Sequence, residues 1–312
     1  MSKQTNLAEK IETSLPVELI ALLNEAIAIA GNRKQLLYLV GGIVRDLLTE
    51  KINDTYDLDL VVEGDAIGLA GEFAKKVGGR LIAHLMFNTA KIEIGKWTID
   101  IAMARTEIYA RPGALPVVTA GTLKTDLLRR DFTVNAMAVS LNHDNYGELI
   151  DLYGGRQDLK AKTIRILHDR SFTDDATRIW RAIRYEQRLD FRIEPETLSF
   201  LKRDLPFMKT VGGYRLRHEL ELVLKEKEPE KCLLRADELG VLRELHPSLK
   251  ADNRLPSKFT EARRNNKAIP DYYLGLLLCH LNAEALQQIT KYLRCSARQV
   301  KIINEIRGMI LT

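Results

Sequence analysis

Leu36-Leu37-Tyr38-Leu39-Val40-Gly41-Gly42-Ile43-Val44-Arg45-Asp46 is the stretch on which the reading of this chain turns. Leu36 to Val40 is a short, unbroken apolar run, the pattern of a buried strand. Gly41-Gly42 then forces a tight turn, and Val44 to Leu48 continues as a helix. A strand, two glycines and a helix start leave backbone N–H groups open toward a ligand. The helix dipole adds partial positive charge there, and Arg45 adds a full one. Such a corner can hold a triphosphate, although an ordinary strand–turn–helix reads the same way on this stretch alone.

Working outward, Leu15 to Ala30 reads as a helix with Ser14 as its cap and Pro16 in its first turn, ended by Gly31-Asn32. Leu58 to Val62 is a second strand and Ala66 to Val77 a helix closed by Gly78-Gly79. Arg80 to His84, Thr89 to Ile94 and Thr98 to Met103 read as strands, the last two as a hairpin around Gly95-Lys96. From Ser171 onward the pattern turns helical and strand signals vanish. Helices are expected over Asp175 to Leu189, Pro195 to Leu201, Tyr214 to Leu224, Pro229 to Leu239 and Ala283 to Leu293. Pro247 to Pro270, polar and carrying Arg263-Arg264, reads as an exposed connection.

Two or three subdomains are expected for 312 residues, and 46% hydrophobic content is enough for a sizeable core. A net charge of +5 suits a polyanionic partner without requiring one. Cys232, Cys279 and Cys295 lie far apart with no C-x-x-C among them, which supports neither a zinc ribbon nor a disulfide framework. Free thiols in a reducing cytoplasm are the expectation. Met1 to Lys10 lacks the form of a secretory signal, and no apolar run approaches the roughly 20 residues of a membrane helix.

Asp57-Leu58-Asp59 opens the second strand. Period two puts both carboxylates on one face, close enough to share divalent ions of the hard, oxygen-seeking kind. Such ions can activate an attacking hydroxyl and clamp a leaving phosphate. A third acid, Asp100, stands among apolar neighbours in Trp97 to Ala102, and facing inward it would need a metal or a donor. A lone D-x-D is usually a solvated strand end; two acids on one strand and one on another, after a phosphate-holding turn, are a rarer combination. Arg129-Arg130-Asp131-Phe132-Thr133-Val134-Asn135-Ala136 offers arginine forks to phosphate, or else a helix start in which Asp131 pairs with a neighbouring arginine. In Asp174-Asp175-Ala176-Thr177-Arg178-Ile179-Trp180-Arg181-Ala182-Ile183-Arg184, the arginines recur every third residue as one basic stripe. Taken alone, that stripe reads best as a solvated charged face.

Together and in this order, Gly-Gly-x-Val-Arg-Asp, Asp-x-Asp, Arg-Arg-Asp-Phe-Thr-x-Asn-Ala and Asp-x-x-Arg-x-x-Arg-x-x-Arg resemble the class II tRNA nucleotidyltransferase and bacterial poly(A) polymerase family. The resemblance is strong from Leu36 to Phe191 and looser beyond. It implies an α+β fold: a polymerase-β-type nucleotidyltransferase head, a small mixed sheet with helices, followed by an all-helical neck and body. The division expected is residues 1–33 as an N-terminal helical segment, 34–145 as the catalytic head, 146–205 as a base-reading neck and 206–312 as an RNA-binding body. The implied reaction is template-independent transfer of CMP or AMP from CTP or ATP to the 3′ end of tRNA, with release of pyrophosphate. Mg²⁺ (or Mn²⁺) is the implied cofactor.

By position in the motifs, Gly41, Gly42, Arg45 and Arg130 are implied to bind the nucleotide phosphates, and Asp57 and Asp59 to hold metal. Asp100 matches the third carboxylate, a base or metal-orienting group. Asp175 and Arg178 match the pair that reads the incoming base, flanked by Arg181 and Arg184, with Asp46, Asp131, Asn135 and Asp174 in support. The pair suits C and A. A carboxylate accepts from an exocyclic amine while an arginine donates to the adjacent ring nitrogen, and uracil and guanine present the reverse polarity. Each buried mismatch costs about 1–3 kcal/mol.

Asp174 stands where the family usually has glutamate, a shorter arm. Many members also carry a further helical tail beyond the body. Arg105 to Thr122 fits the flexible loop that members stopping at CC largely lack. Val62-Glu63-Gly64-Asp65 and Ala114-Leu115-Pro116 resemble a branch whose A-adding enzymes work beside a separate CC-adding partner. Complete CCA addition and A addition alone both stay open. The alternatives are a poly(A) polymerase, a non-catalytic RNA-binding protein keeping the fold, and a transferase acting on a small molecule or protein. The three aspartates disfavour a dead head, and the basic helix favours RNA.

Overall fold

A computed structural model of the chain describes residues 5–50 and 57–311, the side chains of residues 57, 310 and 311 excepted. The chain divides into two compact units. The first comprises residues 1–108, 116–161 and 165–167; the second comprises 109–115, 162–164 and 168–312.

The first unit opens with helices α1 (Ala8–Ser14) and α2 (Val17–Asn32). β1 (Leu36–Val40), α3 (Gly42–Thr49), β2 (Asp57–Glu63), α4 (Ala66–Val77), β3 (Arg80–His84), β4 (Thr89–Ile94) and β5 (Trp97–Met103) follow. Then come the hairpin β6 (Arg105–Ile108) and β7 (Val117–Ala120), α5 (Leu123–Leu128), β8 (Ala138–Ser140), β9 (Leu149–Ile150) and α6 (Gly155–Lys160). The strands form a seven-stranded mixed sheet in the order β3-β4-β5-β2-β1-β8-β9, with β2 and β5 parallel and the other neighbours antiparallel.

Strand alternation sorts the sheet's two faces. Leu58, Leu60 and Val62 of β2, Ile99 and Ile101 of β5, and Leu37 and Leu39 of β1 join α1, α2, α3 and α4 in one large apolar core. Each such fully buried side chain contributes about 1.5–3 kcal/mol. The opposite face has a smaller cluster of Tyr38, Val40, Val61, Ala104, Leu123, Leu127, Ala136 and Ala138. Asp59, Lys91 and Asp100 alternate with the large-core residues and so belong to this second face. α4 is closed at both ends by its own sequence. The Asp65 side chain accepts from the Gly68 N–H, and Gly78 takes the left-handed conformation at the C-terminus.

The second unit contains β10 (Thr163–Ile164), α7 (Ser171–Asp174), α8 (Thr177–Leu189), β11 (Arg192–Ile193), α9 (Pro195–Asp204), α10 (Gly213–Leu224), α11 (Pro229–Glu238), α12 (Val241–Leu245), α13 (Leu255–Arg264), α14 (Pro270–Leu278), α15 (Ala283–Tyr292) and α16 (Ala297–Leu311). Strand does not vanish here as expected: β10 and β11 form a parallel two-residue pair, too short to leave a pattern in sequence. The connection expected over Pro247 to Pro270 contains α13. Its Phe259 is fully buried and stacks on Tyr273 at 4.3 Å between ring centroids, and Arg263 is held by Glu230 at 2.6 Å. Pro256 sits in its first turn, where proline is tolerated. Among the described residues no helix is long and apolar enough to cross a membrane.

Candidate active site

In the first unit, β1 delivers the chain to Gly41, whose φ of 78° turns it into α3. A Cβ on Gly41 would stand 3.0 Å from Asp59 Oδ2 and 3.5 Å from Arg130 Nη1. The turn, the acid of β2 and the arginine after α5 therefore converge on one point, and only a missing side chain leaves room there. Arg45 is buried rather than reaching outward. Its guanidinium donates to Asp46 Oδ1 at 2.8–2.9 Å and to Asn135 Oδ1 at 2.7 Å, tying the first motif to the third.

The parallel register pairs Asp59 of β2 with Asp100 of β5, so the two carboxylates are neighbours on one face. On its other side, Asp59 registers with Val40, the residue before the turn. Asp100 is not left among apolar groups: Lys91, opposite it on β4, places its ammonium 3.2 Å from Asp100 Oδ2. Lys91 went unnoticed in the sequence, where period-two pairing across the Gly95-Lys96 turn could have pointed to it. Asp57 begins β2 with its backbone paired to Thr98, and its side chain lies outside the described residues. The donor set fits a hard cation. Asp59 and Asp100 offer carboxylate oxygens side by side on the less covered face, next to a turn in which a Cβ would fill the space beside Asp59.

The counter-ion shared by Arg129 and Arg130 is Asp126, a fully buried residue that the sequence reading missed. It meets Arg129 at 2.6 Å and Arg130 at 3.0 Å. The i,i+3 and i,i+4 spacing was the available signal. Burial alone would raise the Asp126 carboxyl, but the two guanidiniums outweigh it and hold it below the ordinary carboxylate value. Glu107 of β6 extends the network to Arg129 at 3.1 Å and Arg105 at 2.7 Å. Asp131 accepts from the Phe132 N–H and from Asn135 Nδ2, fixing the amide that in turn holds Arg45.

In the second unit, Asp175 is the extended residue between α7 and α8. Its Oδ1 accepts from Thr177 N and Oγ1, and its Oδ2 from Arg215 at 2.8 Å. Arg178 donates to Ser171 Oγ at 2.6 Å. The solvated face expected of the arginine stripe is corrected here. Arg178 and Arg184 are only 6% and 7% exposed, because α8 is enclosed on that side as well as on the Trp180 side. Arg184 meets Glu226 at 3.4 Å and lies over the Tyr185 ring, as does the half-buried Arg181. Asp174 closes α7 and lies 3.5 Å from Arg170. Glu219 of α10 is buried, and burial pushes its carboxyl up against the opposing pull of Arg181 and Arg184. The cysteines are free thiols, and burial pushes Cys232 up to about 12, which makes it a poor nucleophile.

A mixed sheet with two in-register carboxylates beside a glycine turn and a buried-acid-braced arginine defines a polymerase-β-type head. The family model for the poly A polymerase head domain matches residues 37–165. The model described as "Probable RNA and SrmB- binding site of polymerase A" matches residues 190–253. An A-adding tRNA nucleotidyltransferase of Geobacter sulfurreducens is 46% identical over 238 residues, covering 75% of this chain and 27% of that protein. A CCA-adding enzyme solved in an apo form superposes with a TM-score of 0.85 at 34% identity, covering 99% of this chain and 75% of that one. The Thermotoga maritima CCA-adding enzyme complexed with tRNA gives 0.81 at 33% identity, covering 99% and 74%. The chain belongs to the family of class II tRNA nucleotidyltransferases and bacterial poly(A) polymerases. It spans about a quarter of the length of the curated relative that it matches at 46% identity.

Proposed function

We propose that this chain transfers nucleotides from ATP and CTP, without a template, to the 3′ end of tRNA, and that it places the terminal A. The observation that carries the reading is the register of Asp59 with Asp100, beside Gly41 and Arg130. Asp57 and Asp59 are the residues that would hold Mg²⁺ (or Mn²⁺), with Asp100 alongside. Bound there, the ions would lower the pKa of the attacking 3′-hydroxyl and neutralise charge on the leaving pyrophosphate.

The remaining work falls to side chains and backbone. N–H groups at the start of α3, and Arg130, hold the phosphates, which fixes the direction of attack. Arg45 braces the first turn of α3 from within, through Asp46 and Asn135. Asp100, next to Lys91, receives or steers the proton leaving the hydroxyl. Asp175 and Arg178 read the amine edge shared by adenine and cytosine, which lets side chains stand in for a template. Residues 146–205 serve as the base-reading neck and residues 206–312 as the RNA-binding body. The name of the Geobacter relative and the retention of the Arg105 to Thr122 segment favour addition of A. A separate CC-adding enzyme on the same tRNA and a cytoplasmic location complete the proposal.

The test offers three tRNAs, ending at the discriminator base, at C and at CC, each with CTP, ATP or both, followed by sequencing of the 3′ ends. Extension of the CC end by a single A is expected. Extension of all three to CCA identifies the complete enzyme, and extension of the CC end alone an A-adding specialist. A long adenosine tail on RNA other than tRNA overturns the reading in favour of a poly(A) polymerase.

A further inference from the structure

We propose that Lys91 is a positioning residue that acts through Asp100: its ammonium offsets one of two adjacent carboxylate charges and loosens their hold on a divalent cation. The inference rests on the metal-holding role proposed for Asp57 and Asp59, with Asp100 alongside. One row of registered residues crosses the sheet of the first unit from β1 to β3: Val40, Asp59, Asp100, Lys91 and Ile82. The residues before and after each charge, Leu58 and Leu60, Ile99 and Ile101, Ala90 and Ile92, all join the large core. Strand alternation therefore sets the three charges abreast on the opposite face, with neighbouring strands about 4.8 Å apart.

The charges along β4 are sorted by their neighbours. Glu93 follows Lys91 on the same face, but it pairs with Arg80 of β3 at 3.4 Å, while the Lys91 ammonium lies 3.2 Å from Asp100 Oδ2. Thr98 and Ala102 flank Asp100 along β5 on that face and carry no charge. Lys91 thus brings one positive charge to a row with two negative ones. The Lys91 and Asp100 side chains are 42% and 38% exposed, and an ion pair this open contributes little to folding. Its effect on a bound cation is larger. Adjacent carboxylates attract a doubly charged ion, an ammonium beside them repels it, and the ion's own charge doubles that repulsion. Asp59 and Asp100 take part in further interactions, which do not change the sign of the Lys91 charge or its place in the row.

The test titrates Mn²⁺ into the full chain without nucleotide and follows the free ion by electron paramagnetic resonance. Lys91→Met, which keeps an apolar stem and removes the charge, is expected to bind Mn²⁺ about tenfold more tightly than wild type (~1.4 kcal/mol). Lys91→Arg, which keeps the charge, is expected to bind as wild type does. Lys91→Gln repeats the neutral change with a polar stem and stands in if Lys91→Met does not fold. The Mn²⁺ concentration for half-maximal addition of A to a CC-ended tRNA is expected to fall in step with the dissociation constant, a shift that a merely structural lysine would not produce. Unchanged or weaker Mn²⁺ binding in the folded neutral variants, or equal tightening in Lys91→Arg, overturns the proposal. Asp59→Asn separates this inference from the reading beneath it. If Asp59→Asn abolishes Mn²⁺ binding while Lys91→Met binds as wild type, the metal site stands and the role of Lys91 falls. If Asp59→Asn binds as wild type, or if wild type and Lys91→Met both bind no Mn²⁺, the metal-holding reading falls and the role of Lys91 with it. Tighter binding without extension of any tRNA sinks the tRNA reading alone, and the role of Lys91 then stands on the binding constants.

Discussion

Gly41 has the Asp59 carboxylate 3.0 Å from where a Cβ would stand, at a φ of 78° that L side chains rarely adopt. Gly41→Ala is therefore expected to cost about 1–3 kcal/mol for a positive-φ, extended-ψ backbone that essentially only glycine adopts. It should also push the acid out of register, lowering turnover further than the stability loss explains; a melting curve beside single-turnover rates checks this. Asp59→Ala and Asp57→Ala should each lower nucleotide addition by about 10²-fold or more, the size of losing one electrostatic contact to a transition state, while tRNA binding persists. Wild-type rates in either variant, or activity surviving complete chelation of divalent ions, would sink the metal assignment. Most of these residues were visible in the sequence because the chemistry demands unusual neighbours: two glycines after an apolar run, paired acids, paired arginines. Their partners were not. Asp126, Lys91, Ser171 and Arg215 are ordinary residues that matter only through the group they touch, and touching is decided by packing.

At the scale of elements, legibility followed burial. β1 over Leu36–Val40 and α4 over Ala66–Val77 match the sequence reading residue for residue, because an apolar run between clear stop signals admits one structure. α13 was missed because its buried stripe is thin, Leu255, Phe259 and Ala262 among charged and polar residues. α1 was missed too, since Leu7 and Ile11 are sparse anchors within a charged stretch. The segment Arg105 to Thr122, expected as a flexible loop, is in part a hairpin. β6 and β7 pair from Arg105↔Ala120 to Ile108↔Val117, and Tyr109 to Pro116 forms the irregular tip between them. Val117 to Ala120 has a strand's composition, but β6 is anchored by charge, Arg105 and Glu107 on the Arg129 network, and charge carries no strand signal. Replacing residues 109–116 by a two-residue turn keeps the hairpin and removes its tip. Addition of A to a CC-ended tRNA should then fall by ~10²-fold, the cost of misplacing a reacting group by about 1 Å. An unchanged rate would show that the tip has no part in choosing A.

For the whole molecule, a net charge of +5 on 312 residues is too small to dictate behaviour, so pH sensitivity comes from a few buried groups, and the two units carry opposite ones. In the first unit, Asp126 is held below its ordinary value of 3.8 by Arg130 and Arg129 despite burial. The folded state then binds fewer protons than the unfolded one, so this stabilisation is present above 3.8 and is lost as pH falls through the folded value. In the second unit, Glu219 is pushed above 4.5 because burial outweighs Arg181 and Arg184. Here the folded state binds more protons, and stability declines as pH rises from 4.5 through the raised value. Asp126→Asn should destabilise the chain by about 3–5 kcal/mol at neutral pH, since it strips a buried acid from two arginines. That deficit should narrow only below 3.8. Glu219→Gln should do the reverse, matching wild type near or below 4.5 and surpassing it as pH rises, because the amide has no charge to bury. Chemical denaturation of the two variants and wild type at a series of pH values checks both profiles. If the two differences share one sign at neutral pH, or if Glu219→Gln gains nothing there, then Arg181 and Arg184 stabilise the ionised carboxylate more than burial opposes it.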